Sequence, residues 1–250
     1  MPYEVLATSK TPALIIYVLD VSASMSQFLG EKRRIEVVMD ALQVTLERMV
    51  FLSTKGGKVS PRYRIAMFAY SDHVYDLLDG IKTIDQVAHL GIPELSTMRS
   101  TDTARALLEV EKLLQKELPN IETCSAPLVC HMTDGEFTGA NPEPIVQRIM
   151  QMRNLDGNVL FENIFISDKL LPDPIADVQA WPGILNDTEL TNQYAIKLRT
   201  MSSPLPENYR VMMLENGYQM AEGALMMMPG MSSELIEMGF VMSMSTPVSR

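Results

Sequence analysis

The sequence predicts an α/β protein whose central sheet is mostly parallel and is covered by helices on both faces. Two observations lead to this prediction. Continuous apolar, β-prone segments alternate along the chain with segments whose apolar residues recur at helical spacing. Such alternation is typical of parallel sheets, because each parallel crossover needs a helix that packs on the sheet. The length of 250 residues and the apolar content of 46% are sufficient for one large core.

The first half of the chain predicts a central strand, a helix and a hairpin. Residues 13–19 are apolar throughout, which suits a strand buried on both faces. A polar loop of small residues follows, and helical spacing then extends over residues 34–52. Strands are predicted at residues 63–69 and 73–78, with a tight polar turn between them. This hairpin predicts an antiparallel strand at one edge of the sheet.

The second half continues the alternation. Helical spacing returns at residues 84–90 and 103–118, followed by an apolar strand at residues 126–132. A helix is predicted at residues 144–152 and a further strand at residues 159–166. Together these elements predict a Rossmann-like three-layer sandwich.

Beyond residue 166 the pattern is irregular, apart from a predicted helix at residues 190–200. We expect a main domain over residues 1–200 and a C-terminal extension over residues 201–250. The extension is expected to pack on the same domain, because side chains such as Ile236 and Phe240 require burial. Its many methionines are interpreted as gap-filling core residues, with an adaptable partner-binding surface as the alternative.

The composition limits the classes of partner. The formal charge of −10 argues against binding to nucleic acid or to anionic membranes, since both require basic patches. No apolar run approaches the ~20 residues of a membrane span. The two cysteines, Cys124 and Cys130, do not form a disulfide framework, which is typical of a reducing compartment. These observations predict a cytoplasmic protein.

Three separated segments are expected to place oxygen ligands at one edge of the sheet. Asp20, Ser22 and Ser24 follow the first strand, and Asp134 follows the strand at residues 126–132 within Thr133-Asp134-Gly135-Glu136. Loops at the carboxyl ends of parallel strands converge on the edge of the sheet where ligands bind. Thr101 lies just before a predicted helix start. Two carboxylates and three hydroxyls predict a site for a hard cation such as Mg²⁺.

The pattern Asp20-x-Ser22-x-Ser24, Thr101 and Thr133-Asp134-Gly135 resembles the metal-ion-dependent adhesion site (MIDAS) of von Willebrand factor A (vWA) domains. The resemblance covers roughly residues 12–200 in the order of their elements. Among vWA proteins, the chain resembles the bacterial cytosolic type. It implies the vWA fold, with hydroxyl ligands from the two serines and Thr101 and with Asp20 and Asp134 binding Mg²⁺, Mn²⁺ or Ca²⁺ directly or through water. It also implies that a partner protein supplies an Asp or Glu to the ion.

The resemblance implies a protein-interaction module, an adaptor or scaffold in stress-response or kinase and phosphatase signalling. An accessory subunit of an AAA+ ATPase is the first alternative, and a metal-dependent phosphohydrolase is the second. We expect no enzymatic activity, because the sequence contains no nucleophile elbow and no phosphate-binding glycine loop. The family often has glycine just before this threonine. Here Arg99 and Ser100 precede Thr101, and Arg99 places a cation near the rim of the site. His131, inside a predicted strand, is interpreted as a hydrogen-bonded core residue.

Overall fold

The structure is a computed structural model that describes residues 2–135, 139–167 and 170–244. Within these ranges the strands are β1 (Ala13–Asp20), β2 (Phe28–Leu29), β3 (Lys32–Arg33), β4 (Thr54–Lys55), β5 (Lys58–Val59), β6 (Tyr63–Tyr70), β7 (Val74–Asp76), β8 (Lys82–Thr83), β9 (Leu128–Thr133), β10 (Leu160–Phe165) and β11 (Met227–Pro229). The helices are α1 (Arg34–Ser53), α2 (Ile84–Leu90), α3 (Thr103–Glu117), α4 (Glu143–Gln151), α5 (Gln193–Thr200), α6 (Glu207–Glu215) and α7 (Ser233–Ser243). Short 3₁₀ turns follow β1 at Ala23–Ser26 and α3 at Leu118–Ile121.

The main sheet has the strand order β11-β10-β9-β1-β6-β7, and β8 also pairs with β6. Every pairing from β11 to β6 is parallel, whereas β7 and β8 run antiparallel to β6. The predicted mostly parallel sheet with an antiparallel edge strand is therefore confirmed. The strand expected from residue 126 begins at Leu128, because Pro127 lacks the N–H that a ladder position requires.

Alternate residues of the central strand β1 point into two separate cores. Ile15, Tyr17 and Leu19 lie in a core shared with α1 and α7, whereas Leu14 and Ile16 lie in one shared with α3 and α4. All eight residues of β1 are buried. Two cores on opposite faces of one sheet define the predicted three-layer sandwich. No helix of the described residues has the length and apolarity that crossing a membrane requires.

Residues 201–244 share the sheet and core of the preceding residues. β11 extends the sheet beside β10, and α7 contacts α1, β9, β10 and β11. Met226, Met227 and Met228 are fully buried, and so are Met238 and Met242 of α7. The core interpretation of these methionines is confirmed. Cys124 and Cys130 are free and buried, as expected for a chain without a disulfide framework.

A carboxyl group is buried in the centre of β10. Glu162 is fully buried, and Cys130 lies opposite it on β9. No described side chain forms a well-oriented hydrogen bond to its two oxygens. Burial raises the pKa of Glu162 well above its ordinary value, so the folded chain keeps the proton at a pH where the unfolded chain loses it. The unfolded state then binds fewer protons, and the free energy of unfolding falls as pH rises above the ordinary pKa.

Glu162→Gln is expected to remove this pH dependence. Relative to wild type, the free energy of unfolding of the variant should increase by up to about 1.4 kcal/mol for each pH unit between about pH 5 and the raised pKa. Urea unfolding of both proteins at about pH 5, 6 and 7 measures the difference. The same change at the exposed Glu94 is the control, because it replaces a carboxylate at the surface and not one in the core. A constant difference for Glu162→Gln would contradict a buried, protonated carboxyl.

Candidate metal centre

The carboxyl ends of β1 and β9 bring two of the predicted ligand segments together. These strands are parallel neighbours, with Leu19 opposite Met132. Asp20 is the last residue of β1, and Thr133 is the last residue of β9. The Thr133 hydroxyl donates a hydrogen bond of 2.8 Å to Oδ2 of Asp20. The sheet register therefore places Asp20 beside the segment that carries Asp134.

The loop after β1 presents two hydroxyls side by side. The backbone N–H of Ser22 donates to Oδ1 of Asp20 at 2.8 Å, which closes a tight turn directly after the strand. A 3₁₀ turn over Ala23–Ser26 follows, and the hydroxyl oxygens of Ser22 and Ser24 lie 3.0 Å apart. Because this turn directly follows the last residue of β1, both hydroxyls lie at the edge of the sheet, where Ser22 is buried and Ser24 is half-buried.

The third segment is anchored against the first by the backbone. The N–H of Met98 donates to the carbonyl of Val21 at 2.7 Å, and Met98 forms a parallel bridge with Ser22. Three residues later Thr101 is 5% exposed, and the N–H of Asp102 donates to the carbonyl of Ser71. Thr101 therefore lies in a segment fixed at both ends next to the Ser22 loop.

Another acidic residue of these segments, Asp102, has a helix-capping role. Oδ1 of Asp102 accepts a hydrogen bond from the N–H of Arg105 at 3.1 Å and so caps α3. Glu136 lies outside the described residues.

An arginine that sequence reasoning missed lies against Asp134. Arg34 is the first residue of α1, and its Nη1 is 3.2 Å from Oδ2 of Asp134. The two side chains are 13% and 2% exposed, so the ion pair is nearly excluded from water. The position of α1 could have indicated this contact, because the helix begins shortly after the Ser22 loop and therefore starts at the same edge of the sheet.

The donor set fits a hard divalent cation. In the described part of the chain, no group of three or more His, Cys, Asp or Glu could hold a metal. Hard cations also accept hydroxyl oxygens, so a combination of carboxylates and hydroxyls is a suitable donor set. Such a combination exists at Asp20, Ser22, Ser24 and Asp134. Oδ1 of Asp134 is buried without a hydrogen-bond partner among the described residues, which is costly unless a cation or water satisfies it. All these donors are oxygens, as Mg²⁺, Mn²⁺ and Ca²⁺ prefer.

The electrostatics of the site also favour a cation. Burial raises the pKa of Asp20 to about 6, the hydrogen bonds from Ser22 and Thr133 lower it, and the charge of Asp134 raises it. The charge of Asp134 thus disfavours the ionised form of Asp20, and Arg34 contacts Asp134. A divalent ion would relieve both the repulsion and the desolvation.

A buried hydrogen-bond network lies behind the site. Nε2 of His131 is 2.8 Å from the Tyr70 hydroxyl, and its Nδ1 is 2.8 Å from Oδ1 of Asn163. Burial lowers the pKa of His131 to about 4, so the ring is neutral at pH 7. Its interpretation as a hydrogen-bonded core residue is confirmed. Thr103, at the start of α3, donates to the Tyr70 hydroxyl at 3.4 Å, which links α3 to the network.

Gly135 is required by the local backbone. Its backbone φ is +88°, a value that residues with a Cβ rarely adopt. A Cβ at this position would lie 2.4 Å from Cε2 of Phe165 and 2.7 Å from Cβ of Tyr194. The glycine therefore allows the chain to turn against β10 immediately after Asp134.

No protein-family model matches the sequence, and neither does any curated protein sequence. Among solved structures, the chain is similar to the PilB minor pilin from Streptococcus sanguinis, with 10% identity and a TM-score of 0.55 over 92% of this chain and 60% of that one. It is also similar to the SpRpn10 VWA domain, with 13% identity and a TM-score of 0.45 over 63% of this chain and 76% of that one. Proximal thread matrix protein 1 from the mussel byssus, solved with a zinc-occupied MIDAS motif, aligns with 16% identity and a TM-score of 0.44 over 64% of this chain and 37% of that one. At these identities the likeness is one of fold.

Proposed function

We propose that this chain is a vWA-type interaction module that binds a partner protein through a divalent cation. The ligands assigned to the ion, directly or through water, are Asp20, Ser22, Ser24, Thr101 and Asp134. When bound, the ion supplies positive charge and a coordination position for an acidic side chain of the partner. We assign Mg²⁺ as the ion, with Mn²⁺ and Ca²⁺ as substitutes, and a bacterial cytoplasmic adaptor or scaffold as the setting.

One observation carries this proposal: the ligand segments from β1 and β9 meet at one edge of the sheet. The Thr133–Asp20 hydrogen bond joins the two segments, and the adjacent hydroxyls of Ser22 and Ser24 complete a cluster of oxygens. Three of the five assigned ligands are neutral hydroxyls, so a divalent ion held here could still accept a carboxylate at an open coordination position. The net charge of −10 gives no support to a nucleic-acid partner.

The surface beside the site suits a protein partner. Directly after the Ser24 turn, β2 and β3 form a hairpin in which Phe28 is 67% exposed. An exposed aromatic ring next to a cation site is the kind of anchor that protein interfaces bury. Arg99 is also exposed, two residues before Thr101, and adds a positive charge that favours an acidic partner.

The proposal assigns no catalytic role to the site. Phosphotransferases that use an aspartate after the first strand generally have a second aspartate two positions on for acid–base chemistry. Ser22 occupies that position here and is a poor proton donor and acceptor at neutral pH. Its backbone and hydroxyl instead contact Asp20 and Ser24.

Affinity capture from a lysate of the source cells tests the function. We expect wild type in Mg²⁺ to retain a partner that is lost in EDTA and lost with Asp20→Asn in Mg²⁺, because both changes remove the ion. Asp102→Asn is the matched control, since it removes one acidic charge from the same edge and asparagine still caps α3. A partner retained under all conditions would contradict metal-dependent recognition. Phosphoester hydrolysis that disappears in Asp20→Asn would favour an enzyme instead.

A further inference from the structure

Arg34 is placed where its charge opposes its own helix. It is the first residue of α1, and the positive end of a helix dipole disfavours a cation there. Glu36, in the same turn, has the favourable sign. The position of Arg34 is therefore explained by its contact with Asp134 and not by helix stability.

The Arg34–Asp134 contact satisfies each side chain only in part. One guanidinium nitrogen, Nη1, is 3.2 Å from Oδ2 of Asp134, and this is not the two-pronged geometry of a strong arginine–carboxylate pair. Nε of Arg34 and Oδ1 of Asp134 are both buried without a hydrogen-bond partner among the described residues. Because each side chain keeps an unsatisfied buried atom, this ion pair is only weakly favoured over a contact between either side chain and another partner.

We propose that Arg34 is an internal competitor for the divalent cation, an inference that rests on the proposed function. In the absence of metal its guanidinium neutralises Asp134. When a divalent ion binds at the unsatisfied Oδ1 of the same carboxylate, Arg34 on Oδ2 repels it and takes a share of the negative charge, because one carboxylate cannot fully neutralise both cations. Arg34 thereby lowers the affinity for the free ion and makes stable metal binding depend on the additional carboxylate of the partner.

The test is calorimetric titration of the whole chain with MnCl₂. Arg34→Gln is expected to bind Mn²⁺ about tenfold more tightly than wild type, equivalent to about 1.4 kcal/mol. Arg33→Gln is the matched control, because it removes the same charge from the adjacent, exposed position. Its affinity should stay within about twofold of wild type, since exposed charges are screened by solvent and salt.

A second substitution and a second measurement guard against misfolding. Arg34→Met keeps the apolar stem while removing the guanidinium, and it should tighten Mn²⁺ binding to the same extent. In EDTA both Arg34 variants should melt at a lower temperature than wild type, because Asp134 loses its counter-ion. The increase in melting temperature on adding Mn²⁺ should be larger for both variants than for wild type, because the ion replaces the missing cation.

The outcomes separate this inference from the proposed function. Unchanged or weaker Mn²⁺ binding by both Arg34 variants, with measurable binding by wild type, would overturn the competition and leave the metal site in place. If wild type and both Arg34 variants bind Mn²⁺ no better than Asp20→Asn, the metal site itself fails and the competition fails with it.

Discussion

Asp20→Asn is expected to weaken Mn²⁺ binding by a factor on the order of 100 or more, because substitutions of groups that merely support a metal ligand already cost about 10- to 100-fold. Asparagine has nearly the same shape, and its carbonyl oxygen can still accept a hydrogen bond from the N–H of Ser22. The change therefore removes charge from the site while retaining the turn. Calorimetric titration with MnCl₂ measures the loss.

The control for Asp20→Asn is Asp102→Asn, which removes one carboxylate from the same edge of the sheet. Asp102 caps α3, so this variant should bind Mn²⁺ within about twofold of wild type. Equal losses in the two variants would indicate a diffuse electrostatic effect and would contradict a ligand role for Asp20.

A chain that ends at residue 222 is expected to be unfolded. It lacks β11, which extends the sheet, and α7, whose buried side chains cover one face of the sheet beside α1. In α7 these are Leu235, Ile236, Met238, Phe240 and Met242. Burial of each contributes roughly 1.5–3 kcal/mol, and their sum is comparable with the ~5–15 kcal/mol that stabilises a typical domain. Thermal melting followed by near-ultraviolet circular dichroism measures the effect, and a cooperative transition in the shortened chain would contradict it.

Point substitutions test the same interface more gently. The ring of Phe240 is fully buried and its centre lies 5.9 Å from that of Tyr17 on β1. Phe240→Ala should cost about 3–5 kcal/mol, whereas Leu214→Ala, at a position that is 55% exposed, should cost far less. Equal costs would mean that α7 is not part of the core.

Much of the fold could be predicted because its strands are buried on both faces. Residues 13–19 are continuously apolar, and the observed strand Ala13–Asp20 extends one residue further. Helical spacing placed α1 within a residue of its observed end, whereas α5 begins at Gln193 because Asn192 caps it. β11 was missed, since three residues within a methionine-rich stretch show no alternation. Its position is set by pairing with β10, which is a tertiary property.

The oxygen cluster could also be predicted from the sequence, because its position depends on where the apolar strands end. Asp20 ends one mostly apolar strand and Asp134 directly follows another, and parallel neighbours bring such ends together. Arg34 was missed because its contact with Asp134 spans 100 residues and depends on where α1 begins. Glu162 did carry a signal, a charged residue within a strand in which Asn163 is the other polar residue, but only the packed structure shows how completely it is buried.

The most direct test of the account is the position of a bound ion. Crystals grown in MnCl₂ and measured near the manganese absorption edge would locate it by anomalous scattering. We expect one strong peak between the carboxylate of Asp20 and the hydroxyls of Ser22 and Ser24, and no peak there in crystals of Asp20→Asn. A peak elsewhere in wild-type crystals, or none at a concentration that saturates binding in solution, would contradict the metal site.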